Sequence, residues 1–407
     1  MKIIKVICQL IIGGLFIFSG FVKAVDPIGG SIKFEDYFAA LHLGFLDPLA
    51  LLFSILLAAI EFIIGIHILL GIRLKLASWG AIVFMSFFTL LTFYSALANP
   101  VSDCGCFGDA WKLTNWETFF KNLIMFPFVL FLFINRKKYT NKLPEWRSVI
   151  LSSIFIVFIV SVSWYSIKHL PIIDFRPYHI GANIPNSMSV PKDAEQPEYE
   201  TTFTLEKDGV QKEFDVNNYP YNDSTWVFVD SKSTLIKEGY VPPISDFSLQ
   251  TINGEIVTQK ILENHEPVFL YVIPKLGNAN IREFSNLTNL YLKQNEGKYK
   301  VYILTSSMTK DIFAFDSKLG IGFDYLIGDE TVLKTMVRAN PGLLLLYKGT
   351  IINKWNFNDI PSVEELQSSI SYSISQQNKI LERLIVIAMA LSLLSIILIL
   401  YKQKKLN

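Results

Sequence analysis

The residues whose types and spacing hold the most chemistry are Cys104 and Cys106, one glycine apart in Asp103-Cys-Gly-Cys-Phe-Gly108; the chain's third cysteine, Cys8, lies far away. Two thiols this close form either a redox pair or part of a soft metal site. In an extended chain their Cα atoms stand about 6.6 Å apart, near the upper limit for a disulfide. Bridging therefore needs a bent backbone, which Gly105 permits by adopting positive φ. So small a ring is strained, and strained disulfides are labile and oxidising, as suits a bond that forms and breaks. The plainer alternative is a turn whose cysteines serve as small apolar fillers. A copper or zinc site would need further ligands, for which Asp103 and His42 are the candidates, and the short loop leaves such a ligand set unfilled, so no metal is assigned.

The elements that must position this pair lie in a membrane. Half of the 407 residues are apolar (51%) and the net charge is +1, which points away from nucleic acid as a partner. Six apolar stretches reach the roughly 20 residues needed to cross a bilayer: Ile3–Val22, Pro48–Ile72, Leu76–Ala98, Thr118–Ile134, Ser148–Ile167 and Leu384–Tyr401. Lys2, Lys5, Arg73, Lys75, the Arg136–Arg147 loop and Lys402, Lys404 and Lys405 mark the cytoplasmic side, so both termini are expected inside. Lys23–Asp47, the Cys-Gly-Cys loop and residues 169–379 then face outward, in a bacterial inner membrane toward the disulfide-permissive periplasm. Within the second span Glu61 is costly to bury unless paired; it serves either helix packing or proton handling and quinone contact. His67 is expected at the membrane interface. Cys8, alone in the first span, reads as a buried apolar residue.

The division along the chain is a four-helix module (1–135), a fifth span (148–168), an outward linker with a small β-hairpin region (169–240), an α/β domain (241–376) and a last span (380–401). Asn183–Glu198 is polar and proline-rich, with too little apolar content to pack a core. Tyr199–Leu205 and Val210–Val216 flank an Asp208-Gly209 turn as a hairpin, with a further strand in Ser224–Val229. Beyond it, Asp246–Val257 reads as a hairpin, Pro267–Ile273, Tyr299–Thr305, Leu343–Tyr347 and Thr350–Trp355 as strands, and Ile281–Gln294, Thr309–Leu319, Glu330–Arg338 and Ser362–Gln376 as helices.

Two resemblances follow from these segments. Ile12-Gly-Gly-Leu-Phe-Ile-Phe-Ser-Gly-Phe-Val-Lys23, Glu61 with Gly65 and Leu69-Leu-Gly71, and the Cys-Gly-Cys loop together resemble the DoxX-like family, in particular its methylamine-utilisation (MauE) branch. That resemblance implies a four-helix inner-membrane module serving electron transfer or periplasmic disulfide formation. Pro242–Gln376 resembles thioredoxin-like domains of the TlpA and peroxiredoxin type. The whole layout is similar to DoxX-type proteins of Bacteroidetes. The second resemblance implies a cis-proline edge at Asn340-Pro341-Gly342 that holds a partner strand. Where such domains carry their thiol, after Val268–Ile273, this chain reads Pro274-Lys-Leu-Gly-Asn-Ala-Asn280, so the domain itself lacks the nucleophile of an oxidoreductase or peroxidase.

The expectation is a membrane thiol-disulfide or electron-transfer protein. Cys104 and Cys106 perform the exchange, tuned by the helix starting near Trp116 and by Lys112 and Lys121, while the thioredoxin-like domain docks a periplasmic thiol protein. Quinone is the candidate electron sink, with Glu61 as its proton partner. The alternative from another class is a non-catalytic scaffold that binds clients or subunits of an envelope assembly complex. His42, His169, His179 and His265 lie scattered without a nucleophile and argue no hydrolase triad.

Overall fold

The computed structural model describes residues 2–366, apart from positions 102, 140–142, 192, 196–197, 208, 216–217, 221–222, 224, 238, 279–284, 298 and 363–364. The sixth expected span, and the expected closing helix beyond residue 366, lie outside the described residues.

The first part is helical: α1 (Lys2–Val25), α2 (Pro27–Ala40), α3 (Ala50–Leu70), α4 (Leu74–Ala98), α5 (Asn115–Ile134) and α6 (Glu145–Lys168). All but α2 are long and apolar enough to cross a membrane, and the chain is a multi-pass membrane protein. α1 and α3 pack backbone to backbone: a Cβ on Gly20 would lie 2.5 Å from the Phe62 nitrogen, and one on Gly65 would lie 2.6 Å from that of Ile17. Small residues allow this close approach, which is how helices gain dispersion contact where lipid offers no hydrophobic drive. α6 joins the same bundle through Phe155 and Phe158 against Phe62, so the fifth span is an integral wall rather than an appendage. α5 continues through Pro127 without interruption.

The segment Lys23–Asp47, expected as an outward loop, is instead largely helical. Asp26 caps α2 by accepting the Gly29 N–H at 2.9 Å, and Pro27 opens the first turn. His67 is also placed differently from expectation: it is buried between helices and hydrogen-bonds the Ser152 hydroxyl of α6 at 2.7 Å.

Beyond α6 come α7 (Ile184–Met188), a three-stranded antiparallel sheet of β1 (Glu198–Lys207), β2 (Val210–Asp215) and β3 (Val227–Lys237), and then the α/β domain. β1 lies between the other two strands, and the further strand expected at Ser224–Val229 runs Val227–Lys237. The α/β domain runs β4 (Gln250–Thr251), α8 (Thr258–Leu262), β5 (Val268–Val272), α9 (Ser285–Leu292), α10 (Gln294–Gly297), β6 (Lys300–Thr305), α11 (Thr309–Leu319), β7 (Tyr325–Ile327), α12 (Glu330–Met336), β8 (Gly342–Tyr347) and β9 (Thr350–Asn356). Its sheet order is β4-β7-β6-β5-β8-β9, with β5, β6 and β7 parallel and β8 and β9 antiparallel to them. Apolar clusters cover both faces of the sheet. A parallel core continued by an antiparallel pair, with a cis Asn340-Pro341 bond entering β8, is the thioredoxin-like arrangement.

Three details depart from the sequence reading. The Asp246–Val257 hairpin is reduced to the two residues of β4 and one isolated bridge to Ile256. β7 and α8 had not been anticipated. The start of the presumed linker is core: Ile184 is fully buried, its N–H donates to the Gly349 carbonyl, and Tyr178 packs in the same cluster.

Candidate functional site

Two of the contacts that fasten the domain to the bundle bear on the thiol loop and on the end of α6. The Asn356 and Asn358 side-chain amides donate at 2.6 Å to the His169 and Lys168 carbonyls, satisfying acceptors that the end of α6 leaves open. Arg338, at the end of α12 and two residues before the cis bond, reaches across to Asp26 at 3.0 Å and to Asp109 at 3.2 Å. Asp109 lies three residues past Cys106. A thioredoxin-like edge thus sits over the Cys-Gly-Cys loop.

The loop itself is bent as its glycine allows. Gly105 has φ +67° and its N–H donates to the Asp103 carboxylate, which also takes a 2.8 Å bond from Lys33 of α2. The bend brings the two sulfurs to 3.1 Å, and neither is bonded to another cysteine. The loop is also drawn into the bundle. The Cys106 carbonyl accepts the Ser19 hydroxyl at 2.7 Å and the Lys23 ammonium, and Phe107 packs on Phe18. Ser19 lies six residues inside the end of α1, about 9 Å along the helix axis, so the thiols sit below the rim of the bundle.

Lys23 joins the two residues that the sequence singled out separately. Its ammonium bonds the Cys106 carbonyl and pairs with Glu61 at 2.8 Å, which places Glu61 directly beneath the thiol loop. Glu61 is therefore a paired carboxylate, as its burial demands.

The two thiols differ in proton affinity. Cys106, the more accessible, is held below the ordinary thiol value by the hydrogen bond from Cys104 and by the Lys121 and Lys23 charges, against the pull of burial. Cys104 is pushed up by that same bond and by burial, which a hydrogen bond from Tyr37 opposes. Lys112, expected to act on the thiols, instead pairs with Asp109 at 3.5 Å, and the start of α5 is closed by its own Thr114–Glu117 capping box. Lys121 lies over the Phe107 ring at 4.2 Å.

A cavity of about 690 Å³ opens beside the pair; its lining includes Cys104, Cys106, Lys23 and Glu61, apolar residues of α4, and charged residues such as Lys33, Arg176, Lys334 and Arg338 that reach to the domain. Cys8, buried in the bundle core, lies outside that lining. No three His, Cys, Asp or Glu residues come together as a metal-binding group among the described residues.

In the thioredoxin-like domain Pro341 and Gly342 are buried and Asn340 is exposed. The position after β5 holds Lys275, paired with Glu330 at 3.0 Å, and buried Leu276. Tyr37, Asp26 and Asp109 escaped the sequence reading, and Lys23 and Arg338 entered it only as segment ends with no role. The Asp26-Pro27 helix start was a usable signal for α2; nothing local marks Arg338.

Bundle, thiol loop and docked domain together define a multi-pass membrane protein with a thioredoxin-like domain seated over a cysteine pair. Residues 1–135 match the family model described as methylamine utilisation protein MauE, and residues 199–238 match a domain of unknown function, DUF8463. No curated protein matches the chain in sequence. Among solved structures, the chain is similar to StoA from Bacillus subtilis at 15% identity and TM-score 0.25, over 30% of this chain and 95% of that one. It is also similar to a candidate protein disulfide isomerase from Bacteroides thetaiotaomicron at 15% identity and TM-score 0.24, over 34% and 86%.

Proposed function

We propose that the protein is a thiol-disulfide oxidoreductase of the bacterial inner membrane, with Cys104 and Cys106 as its redox pair. It would be a member of the wider DoxX-like group whose thioredoxin-like domain has given up its own thiols. The observation that carries this is the 3.1 Å sulfur pair of unequal proton affinity. A thiolate beside a neutral thiol is the starting state of exchange. Cys106 attacks a sulfur of a partner disulfide, forming a mixed disulfide and releasing the partner's other sulfur as thiolate. Cys104 then loses its proton and displaces the partner, closing the Cys104–Cys106 bond and leaving the partner a dithiol. The reverse direction passes through the same intermediate. The partner is a periplasmic thiol protein, docked at Asn340 and the Pro341 edge. Basic residues gather at the bundle end away from the domain, which supports cytoplasmic placement of that end.

The test is maleimide trapping of the pair in intact cells, with Cys104→Ala to stall the mixed disulfide on Cys106. Reversible oxidation and a captured periplasmic protein are expected. A permanently unreactive pair with no captured species would sink the proposal in favour of the scaffold reading, which the thiol-free thioredoxin-like domain favours.

A further inference from the structure

We propose that the cavity beside Cys106 binds a small zwitterionic disulfide, the oxidised form of a cysteine-type amino acid or short peptide, a deepening that rests on the exchange chemistry proposed above. Most charges around the cavity already have partners: Lys23 holds Glu61, Lys33 holds Asp103, Lys334 holds Glu330 and Arg338 holds Asp26. Three features of its lining are left over. Glu35 and Asp36, side by side on α2, have no cation within ion-pair distance among the described residues, Glu35 taking only the Ser31 hydroxyl at 3.2 Å. Lys121 of α5 likewise has no carboxylate, its ammonium lying over the Phe107 ring. The third is the hydroxyl of Ser54 on α3, which is 1% exposed, has no hydrogen-bond partner and is turned toward Gly30 on the same cavity wall.

A buried hydroxyl without a partner is costly, and a polar group on a ligand removes that cost. The ligand that answers all three features carries an ammonium for the α2 carboxylates, a carboxylate for Lys121 and further polar atoms for Ser54. To react with Cys106 it also carries a disulfide. Cystine and short peptides built on it meet these demands together. Such a ligand arrives from water: Asp36 is exposed, and on the domain side the Lys334 and Glu330 side chains are 36% and 32% exposed. About 690 Å³ lies in the range of small-molecule sites and is too small for a folded protein, whose place is the Pro341 edge.

The balance is direct. Cys106 thiolate attacks one sulfur of the ligand, its S–S bond breaks, and the first half leaves as a thiolate that takes the Cys104 proton. Cys104 thiolate then attacks the Cys106 sulfur, the Cys104–Cys106 bond forms, and the second half leaves as a thiolate. Two electrons have passed from the pair to the ligand, and one disulfide has replaced another. The pair so oxidised then takes electrons from a partner dithiol.

The test uses the full chain reduced in lipid nanodiscs under anaerobic conditions and oxidised in turn by cystine, by cystamine, which lacks the carboxylates, by dithiodipropionate, which lacks the ammoniums, and by oxidised thioredoxin. Each small-disulfide rate is divided by that of free dithiothreitol with the same reagent, which removes differences in intrinsic reactivity. Cystine should then exceed each of its two analogues about fivefold, equivalent to about 1 kcal/mol, as for ion pairs in contact with water. Replacing Glu35→Gln and Asp36→Asn together should abolish the preference for cystine over dithiodipropionate; the preference in the unmodified protein is a readout independent of that variant's folding. Equal normalised rates for the three small disulfides, or a preference that survives the double replacement, would overturn the cavity site and leave thiol exchange standing. Failure of every disulfide, small or protein, to oxidise the pair would overturn both.

Discussion

The membrane loop and the thioredoxin-like domain divide what a thiol oxidoreductase ordinarily holds in one place. In the loop, two sulfurs 3.1 Å apart sit among Lys23, Lys121 and Tyr37, which act on their proton affinities. In the domain, the sheet and cis-proline edge are intact, yet the residues after β5 are Lys275 in an ion pair and Leu276 in the core. On the proposed reading fold and chemistry are separable: the cis-proline edge is kept where no thiol stands, and the thiol pair stands where there is no such edge. Arg338 brings the halves back within reach of each other.

The sharpest way to break this contrast is at the nucleophile. Cys106→Ser should lower maleimide reactivity of the loop at neutral pH by more than about 100-fold, since the remaining Cys104 is buried, which shields it and by itself raises its pKa; in the unmodified protein the rate–pH profile should inflect below the ordinary thiol value of about 8.5. If the mutant alkylates as fast as the parent, the roles of the two sulfurs are reversed.

Arg338→Ala should cost about 3 kcal/mol, the low end for a broken buried ion pair because both carboxylates are partly open to solvent. Limited proteolysis would show it as faster cleavage between bundle and domain, accompanied by faster alkylation of Cys106. Unchanged cleavage would mean that the α6 end alone seats the domain.

Acid should loosen a different contact, the one by which Asp174 in the segment after α6 pairs with Lys354 of β9 and with Arg176. Asp174, held near 2 against its burial by Lys354 and Arg176, keeps its full contribution above about pH 4 and loses it as pH falls toward 2; the stake is about 2 kcal/mol. Thermal melts of the full chain across that window check the sign, and Asp174→Asn should flatten the trend.

Gly105→Ala should cost about 1 kcal/mol through its left-handed backbone and slow disulfide closure. Lys275→Ala, at the position where related folds carry a thiol, should change stability by no more than about 0.5 kcal/mol, as expected for a pair largely in solvent, and leave the redox behaviour of the loop as it was. A redox effect there would place chemistry back in the domain.

What the sequence disclosed follows from how each signal is encoded. Cys104, Cys106 and Glu61 stand out because thiols are scarce in this chain and a carboxylate is costly within an apolar run, and the spans follow from length alone. β5, β6, β8 and β9 were legible as apolar or alternating runs. β7 is three residues long and too short to show a pattern, and α2 mixes Gly29, Gly30 and charges on a helix whose apolar face is weak. The ion pair between Arg338 and Asp26 joins residues 312 apart, a separation that no local pattern encodes. Lys23 was visible only as a helix end, because two of its partners, Glu61 and the Cys106 carbonyl, come from elsewhere in the chain.

The ring of Phe107 next to Cys106 is stacked with Trp111 at 5.8 Å, and that indole is largely exposed. Disulfides quench indole emission, so the molecule carries its own optical gauge. The chain has seven tryptophans, so with the other six replaced by phenylalanine the emission of Trp111 alone would report whether the pair closes, with no label attached to either sulfur.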